Sequence, residues 1–127
     1  MADIIRGLLL TNYFDIFQID DSFLALYSLY IPENISCKSL LSVIDIDYLK
    51  YDRIYRIEPK LGRKFRLWLH SKMMSKWEPR ILDNFDHCFV MSEIDKNILL
   101  HDNPKAKLST IPNGTDVFGT EMFSDEG

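Results

Sequence analysis

The chain has 127 residues, of which 46% are hydrophobic and 27% charged, and its formal net charge is −4. This length and composition predict one soluble globular domain with a single core. No apolar run approaches the roughly 18–20 residues that cross a bilayer, and the first residues lack the layout of a signal peptide. The expected location is the cytoplasm. Cys37 and Cys88 lack metal-ligand spacing, and we expect small buried hydrophobic side chains rather than a disulfide or a catalytic pair.

Stretches rich in β-branched and aromatic residues alternate with stretches of helical pattern. The predicted strands cover residues 13–19, 39–46, 85–91 and 106–111. The predicted helices cover residues 3–10, 22–30, a region after 47 that includes 63–82, and the segment after Ser92. The run at 39–46 is apolar almost throughout, which favours a strand covered on both faces. This order predicts an α/β fold, a Rossmann-like parallel sheet of about four strands with flanking helices and right-handed crossovers.

Two of the predicted helices carry apolar residues at helical spacing. The first is predicted to begin at the capping residues Asp20, Asp21 and Ser22, and its buried side to hold Phe23, Leu24, Leu26, Tyr27 and Tyr30. In the second, apolar residues recur at every fourth position, namely Phe65, Leu69, Met73, Trp77 and Ile81. We interpret both sets as stripes that face the core. Glu78, on the second helix, is expected to be solvated.

Several short motifs occur in an order that resembles a known family. They are Tyr-Phe-Asp-Ile-Phe-Gln-Ile-Asp at 13–20, Ser-Val-Ile-Asp-Ile-Asp at 42–47, Glu78 followed by Phe85-Asp86, Val-Met-Ser-Glu-Ile-Asp at 90–95, and Ile-Pro-Asn-Gly-Thr-Asp at 111–116. Together they resemble the N-terminal, acceptor-side domain of family 4-like retaining glycosyltransferases of the GT-B fold. The chain departs from that family in lacking its glycine-rich loop, and in placing Asp47 where many relatives have a histidine.

The resemblance implies that residues 1–111 form a partial Rossmann-like domain and that 112–127 form a hinge and the start of a second domain. In this family the second domain binds the nucleotide-sugar donor through two spaced glutamates. The chain is therefore expected to bind no cofactor and to be inactive without a missing C-terminal domain or a partner chain. The implied complete enzyme transfers a sugar to a hydroxyl acceptor, either a sugar or a lipid-linked molecule. The alternative is a non-catalytic α/β binding module that pairs with a partner chain.

Ligands of open parallel sheets bind beyond the carboxyl ends of the strands. This rule selects Asp20, Asp21, Asp45, Asp47, Ser92 and Asn113. On a strand, Asp45 and Asp47 would face the same side and hold acceptor hydroxyls, whereas the alternative is that Asp47 caps the next helix. Ser92 is predicted to cap a helix, with a ligand phosphate at that helix start as the alternative.

The Asn-Gly turn near the end of the chain has two interpretations. By the resemblance, Asn113, Gly114 and Asp116 lie at the interdomain hinge and face the donor cleft. The alternative is a plain loop, since Asn-Gly pairs form turns readily. The histidines, cysteines and carboxylates of the sequence are not spaced as metal ligands are, so no metal site is expected.

Residues 50–80 concentrate the positive charge of the chain. They hold ten basic and three acidic residues, a net charge of +7 that leaves −11 for the rest of the chain. This segment has three interpretations. It could bind an anionic membrane surface, which implies peripheral attachment to the inner face of a membrane. It could instead bind an anionic glycan or nucleic acid, or it could be a solvated helix without a partner. Nucleic acid is not expected as a partner, because the whole chain is acidic and carries no binding motif.

Overall fold

Four short strands form one parallel sheet in the computed structural model, which describes residues 2–32, 35–112 and 114. The strands are β1 (Ile16–Asp20), β2 (Lys38–Val43), β3 (His87–Val90) and β4 (Leu108–Thr110). Their order across the sheet is their order along the chain, and each neighbouring pair is parallel. The predicted α/β fold with a four-stranded parallel sheet and flanking helices is thus confirmed.

Helical segments connect the strands. The α-helices are α1 (Ala2–Thr11), α2 (Asp47–Ile57), α3 (Leu61–Ile81) and α4 (Glu93–Asp102), and the 3₁₀ helices are Ser22–Tyr30 and Leu82–Asn84. Helices α2 and α3 pack closely as a hairpin, in which the Ser71 hydroxyl donates to the Tyr48 carbonyl at 3.0 Å. Helix α3 continues past Pro79 to Ile81.

The core lies against one face of the sheet. Alternate residues of the strands are buried there, and they lie in register across the sheet: Ile19, Leu41, Val43, Cys88 and Val90. Side chains of the first 3₁₀ helix, α3 and α4 complete this cluster. The intervening strand residues are only half-buried or exposed. The expected cover of β2 is complete on one face only, since Leu40 and Ser42 on the other face are half-buried. On the covered face, burial of Cys88 raises the pKa of its thiol to about 12.

The segment Ser22–Tyr30 buries a different set of residues from the predicted one. It is a 3₁₀ helix, and with three residues per turn it aligns every third side chain on one face. The inward face is accordingly Ser22, Ala25 and Ser28. Phe23 is 63% exposed, and the other predicted core residues apart from Tyr27 are also exposed. The prediction assumed 3.6 residues per turn, which placed the buried stripe wrongly.

Helix α3 likewise turns its predicted stripe away from the core over most of its length. Four residues advance an α-helix by about 40° more than one turn, so five positions at that spacing sweep through about 160°. Phe65 and Met73 are 61% and 62% exposed, whereas Ile81 at the end of the run is buried. The inward face is instead formed by Ser71, Met74, Glu78, Pro79 and Ile81. The core role assigned to Phe65, Leu69 and Met73 is wrong.

Candidate functional site

A groove lies at the carboxyl ends of β2 and β3, where ligands of parallel sheets bind. Its volume is about 280 Å³, and its lining is Asp45, Ile46, Leu49, Lys50, Arg53, Ile54 and Asp95. Two carboxylates and two cations therefore meet over an apolar floor. Such a surface offers acceptors for hydroxyl groups and donors for phosphate or carboxylate oxygens.

Asp45 and Asp47 do not share one face. Strand β2 ends at Val43, the backbone then bends, and α2 begins at Asp47. The rule that residues two apart face the same side holds only within a strand. Asp45 is exposed in the groove, whereas Asp47 is 6% exposed and its Oδ2 lies 3.2 Å from the Ser22 hydroxyl oxygen. The prediction of a paired carboxylate site is wrong, and only Asp45 is open to a ligand.

Asp47 does not cap α2 either. The N-cap residue of α2 is Ile46, which provides no side-chain bond. The first backbone N–H groups of the helix donate instead to a distant carboxylate on α3. Asp47 N is 3.1 Å from Oε1 of Glu78, and Tyr48 N is 3.2 Å from Oε2. Glu78 therefore caps α2 from outside the helix, an arrangement that the local sequence around Asp47 does not indicate.

Glu78 is fully buried, so the expectation that it is solvated is wrong. Its Oε1 also accepts a 2.6 Å hydrogen bond from the Ser22 hydroxyl. Burial raises the pKa of Glu78, while the bonds from Ser22, Asp47 and Tyr48 partly oppose that rise. The sequence contains one signal for the burial of Glu78. It lies four residues after Met74 and three before Ile81, so all three side chains lie on the same face of the helix.

The end of β1 carries an unusual backbone conformation at Asp21. Its φ is 86°, a positive value outside the regions that residues other than glycine normally adopt. Asp21 N donates to the Ser42 carbonyl at 2.8 Å, and its carboxylate accepts from Phe23 N at 3.1 Å. Asp21 thus caps the first 3₁₀ helix as predicted. Asp20 is exposed and accepts from the Gln18 amide at 2.8 Å, outside the groove.

Ser92 caps α4, as predicted. Its hydroxyl oxygen accepts from Asp95 N at 3.1 Å and donates to Oδ2 of Asp95 at 2.6 Å. This reciprocal pair holds the Asp95 side chain, which lines the groove. Ser92 therefore acts on the groove through Asp95. The sequence patterns did not identify Lys50, Arg53 and Asp95 as groove residues. For Lys50 and Arg53 a signal was present, since their three-residue spacing places them on one face of a helix.

The predicted hinge residues are only partly described. Asn113 and Asp116 lie outside the described residues. Gly114 is exposed, and a Cβ placed on it would meet no atom within 4 Å. It does not line the groove. Just before it, Ile111 N donates to the Val90 carbonyl at 2.9 Å, which continues the pairing of the last strand with β3.

Histidine, cysteine and carboxylate side chains form no metal-binding cluster of three or more within the part of the chain that the structure describes. Among residues 2–32 and 35–112, no helix combines the length and the apolar character needed to cross a bilayer. Comparisons with protein-family models, with curated proteins and with solved structures each found no match.

Proposed function

We propose that this chain is the acceptor-side Rossmann-like domain of a retaining glycosyltransferase related in motif order to the GT-B, family 4-like enzymes. One observation carries the proposal: the mixed-charge groove lies at the carboxyl ends of neighbouring parallel strands. The hydroxyl group of an acceptor substrate would donate hydrogen bonds to the carboxylates of Asp45 and Asp95. A phosphate group on the same substrate would bind the cationic side chains of Lys50 and Arg53.

In this proposal the chain orients the acceptor and does not bind the donor. The complete enzyme moves a sugar from a nucleotide-sugar donor to the hydroxyl held in the groove. A second domain or a partner chain binds the donor and stabilises the leaving diphosphate, as the resemblance implies. Glu78 contributes indirectly, since it fastens the start of α2, the helix that carries Lys50 and Arg53. The proposed location is the cytoplasm.

A ligand titration tests the groove assignment. The probe is glucose 6-phosphate, followed through ¹H–¹⁵N spectra of the intact chain, with UDP as the donor-side comparison. We expect glucose 6-phosphate to shift the amide signals of Asp45, Lys50 and Asp95, and UDP to leave them unchanged. Asp45→Asn and Arg53→Gln each weaken binding about tenfold, the loss of roughly 1.4 kcal/mol that fits one charge-assisted hydrogen bond.

Lys105→Gln is the matched control, because Lys105 is exposed and lies outside the groove lining. Equal affinity of the control and the two groove variants, or signal changes confined to another surface, would contradict the assignment.

A non-catalytic binding module is the second candidate, and one observation favours it. The two buried acids near the groove, Asp47 and Glu78, are engaged by Ser22 and by the start of α2. Neither is free to act on a substrate. Sequencing the transcript on both sides of this region distinguishes the candidates. A following domain with two spaced glutamates supports the transferase, and a transcript without one supports the module.

A further inference from the structure

Helix α3 carries large apolar side chains on its solvent-facing side. They form a surface that we call the α3 apolar face: Leu61, Phe65, Trp68, Leu69 and Met73. Leu61 is 83% exposed, and the rings of Phe65 and Trp68 stack with centroids 5.8 Å apart. From the first to the last of these residues the helix rises about 18 Å. Contiguous apolar surface of this kind marks an interaction site.

Lysines continue the same side of the helix. Lys72 lies seven residues after Phe65, and Lys76 lies seven after Leu69; seven residues are nearly two full turns, so each pair projects in about the same direction. Both lysines are exposed. Within the described residues, no carboxylate lies in salt-bridge range of either lysine.

The acidic residues of the 50–80 segment offset only a small part of its positive charge, since three acids stand against ten basic residues. Asp52 pairs with Arg56 at 2.8 Å, and Glu58 pairs with Arg63 at 3.1 Å. Glu78 is fully buried beneath the start of α2. The outward charge of the hairpin is therefore strongly positive, and it complements an anionic partner.

We propose that the α3 apolar face docks onto an anionic lipid bilayer. Phe65, Leu69 and Met73 enter the boundary between headgroups and acyl chains, while Lys72 and Lys76 reach lipid phosphates. Lipid fits better than nucleic acid or another polyanion. A polyanion would pair with the lysines but leave the aliphatic side chains in water. A bilayer satisfies both sets at once, and this inference does not depend on transferase activity.

Vesicle co-sedimentation of the intact chain tests the proposal. We expect binding to phosphatidylglycerol-containing vesicles at low salt and at least tenfold weaker binding to pure phosphatidylcholine. Raising the salt concentration also weakens binding, because exposed charges are screened. We expect two double variants, Phe65→Ala/Leu69→Ala and Lys72→Glu/Lys76→Glu, each to bind phosphatidylglycerol-containing vesicles at least about tenfold more weakly than the unaltered chain.

Matched controls separate this face from the rest of the surface. Leu29 is 65% exposed on the first 3₁₀ helix, and Lys105 is exposed after α4. Leu29→Ala and Lys105→Glu are expected to bind vesicles as the unaltered chain does. Far-ultraviolet circular dichroism of every variant identifies any that fails to fold.

Tryptophan fluorescence provides a readout that does not need a surface variant. The chain has two tryptophans, and Trp77→Phe leaves Trp68, which is 39% exposed. Phosphatidylglycerol vesicles are expected to shift the Trp68 emission to shorter wavelength, and brominated acyl chains to quench it.

Three results would overturn the proposal. The first is unchanged vesicle binding by the α3 variants, and the second is equal binding to anionic and neutral vesicles. The third is a Trp68 emission that vesicles leave unchanged, while the same variants abolish self-association of the chain in solution. That last result would identify a second copy as the occupant.

Discussion

A carboxylate placed on the first backbone N–H groups of a helix satisfies donors that have no partner within the helix. Glu78 does this for α2 from a neighbouring helix, and Ser22 holds it in place. The arrangement is costly to the charged form, because the carboxylate is fully buried. We therefore expect the protonation of Glu78 to affect the stability of the hairpin.

The pH dependence of stability follows from the direction of this shift. Burial raises the pKa of folded Glu78 above its ordinary value of 4.5. The folded state therefore binds this proton more tightly than the unfolded state does. The Glu78 contribution to stability is fully present below the unfolded pKa and is lost as pH rises through the folded pKa.

Replacing Glu78 with glutamine removes this titration. We expect the free energy of unfolding of Glu78→Gln to increase relative to that of the unaltered chain as pH rises from about 4.5 toward neutrality, because only the unaltered chain loses stability over this range. Glu78→Ala leaves buried donors unpaired and is expected to cost about 2–3 kcal/mol. Urea denaturation across this pH range measures both. Parallel pH profiles for the unaltered chain and Glu78→Gln would refute the argument, and Asp3→Asn is an exposed acid control.

Ser92 is the second residue with a defined structural task. Its hydroxyl accepts from Asp95 N and donates to the Asp95 carboxylate. Ser92→Ala is expected to lower the free energy of unfolding by about 1 kcal/mol, whereas Ser92→Thr keeps a hydroxyl that can both accept from Asp95 N and donate to its carboxylate. Ser75→Ala serves as the control, with an expected effect within about ±0.5 kcal/mol. Equal losses in Ser92→Ala and Ser92→Thr would show that capping is not the cause.

At the scale of elements, adjacent residues of α3 have opposite environments. Met73 is 62% exposed, and Met74 is 9% exposed and belongs to the core. Met74→Ala is therefore expected to cost at least about 2 kcal/mol through lost packing, and Met73→Ala less than about 0.5 kcal/mol. Chemical denaturation of the two variants compares them directly. A larger loss for Met73→Ala would contradict the helix orientation described above.

The same elements show why sequence patterns located the helices better than their buried faces. The spacing from Phe65 to Ile81 correctly indicates a helix, yet the stripe turns from solvent toward the core. In the first 3₁₀ helix a change of period alone moves Phe23 outward and Ala25 inward. The small residues at its inward positions allow this 3₁₀ helix to lie close to the sheet. Which face is buried depends on the neighbouring element, and local spacing carries little of that information.

At the scale of the whole molecule, the β1 side of the sheet carries many exposed apolar side chains. Among the described residues, β1 pairs with β2 alone and is an edge strand. Large apolar side chains are exposed on α1, on β1 and between them, namely Ile4, Leu8, Leu10, Tyr13, Phe14 and Ile16. Exposed edge strands with apolar neighbours promote pairing between molecules. We expect the purified chain to self-associate as its concentration rises.

A lysine on the edge strand tests this expectation. Ile16 is 55% exposed, so Ile16→Lys is expected to leave stability within about 0.5 kcal/mol while hindering pairing between edges. Sedimentation velocity over a concentration series should show less association for the variant. A chain that stays monomeric at all concentrations, with a sharp thermal transition, would disprove this expectation. The α3 variants provide the comparison surface.

The sequence by itself determined the order of strands and helices, the parallel sheet and the Ser92 cap. These features depend on local patterns, since strand and helix periods and an N-cap serine need only nearby residues. It also indicated the edge of the sheet where Asp45 lies. The resemblance to a glycosyltransferase domain remains a prediction.

Only the tertiary structure decided which acids are buried and which apolar side chains are exposed. Glu78 meets Asp47 and Ser22 across 31 and 56 residues of sequence, so its role depends on how α3 packs. Asp45 and Asp47 separate because β2 ends before them. The α3 apolar face is outside because Met74 and Ile81 occupy the core side. Long-range packing selects among faces that local periodicity leaves nearly equivalent.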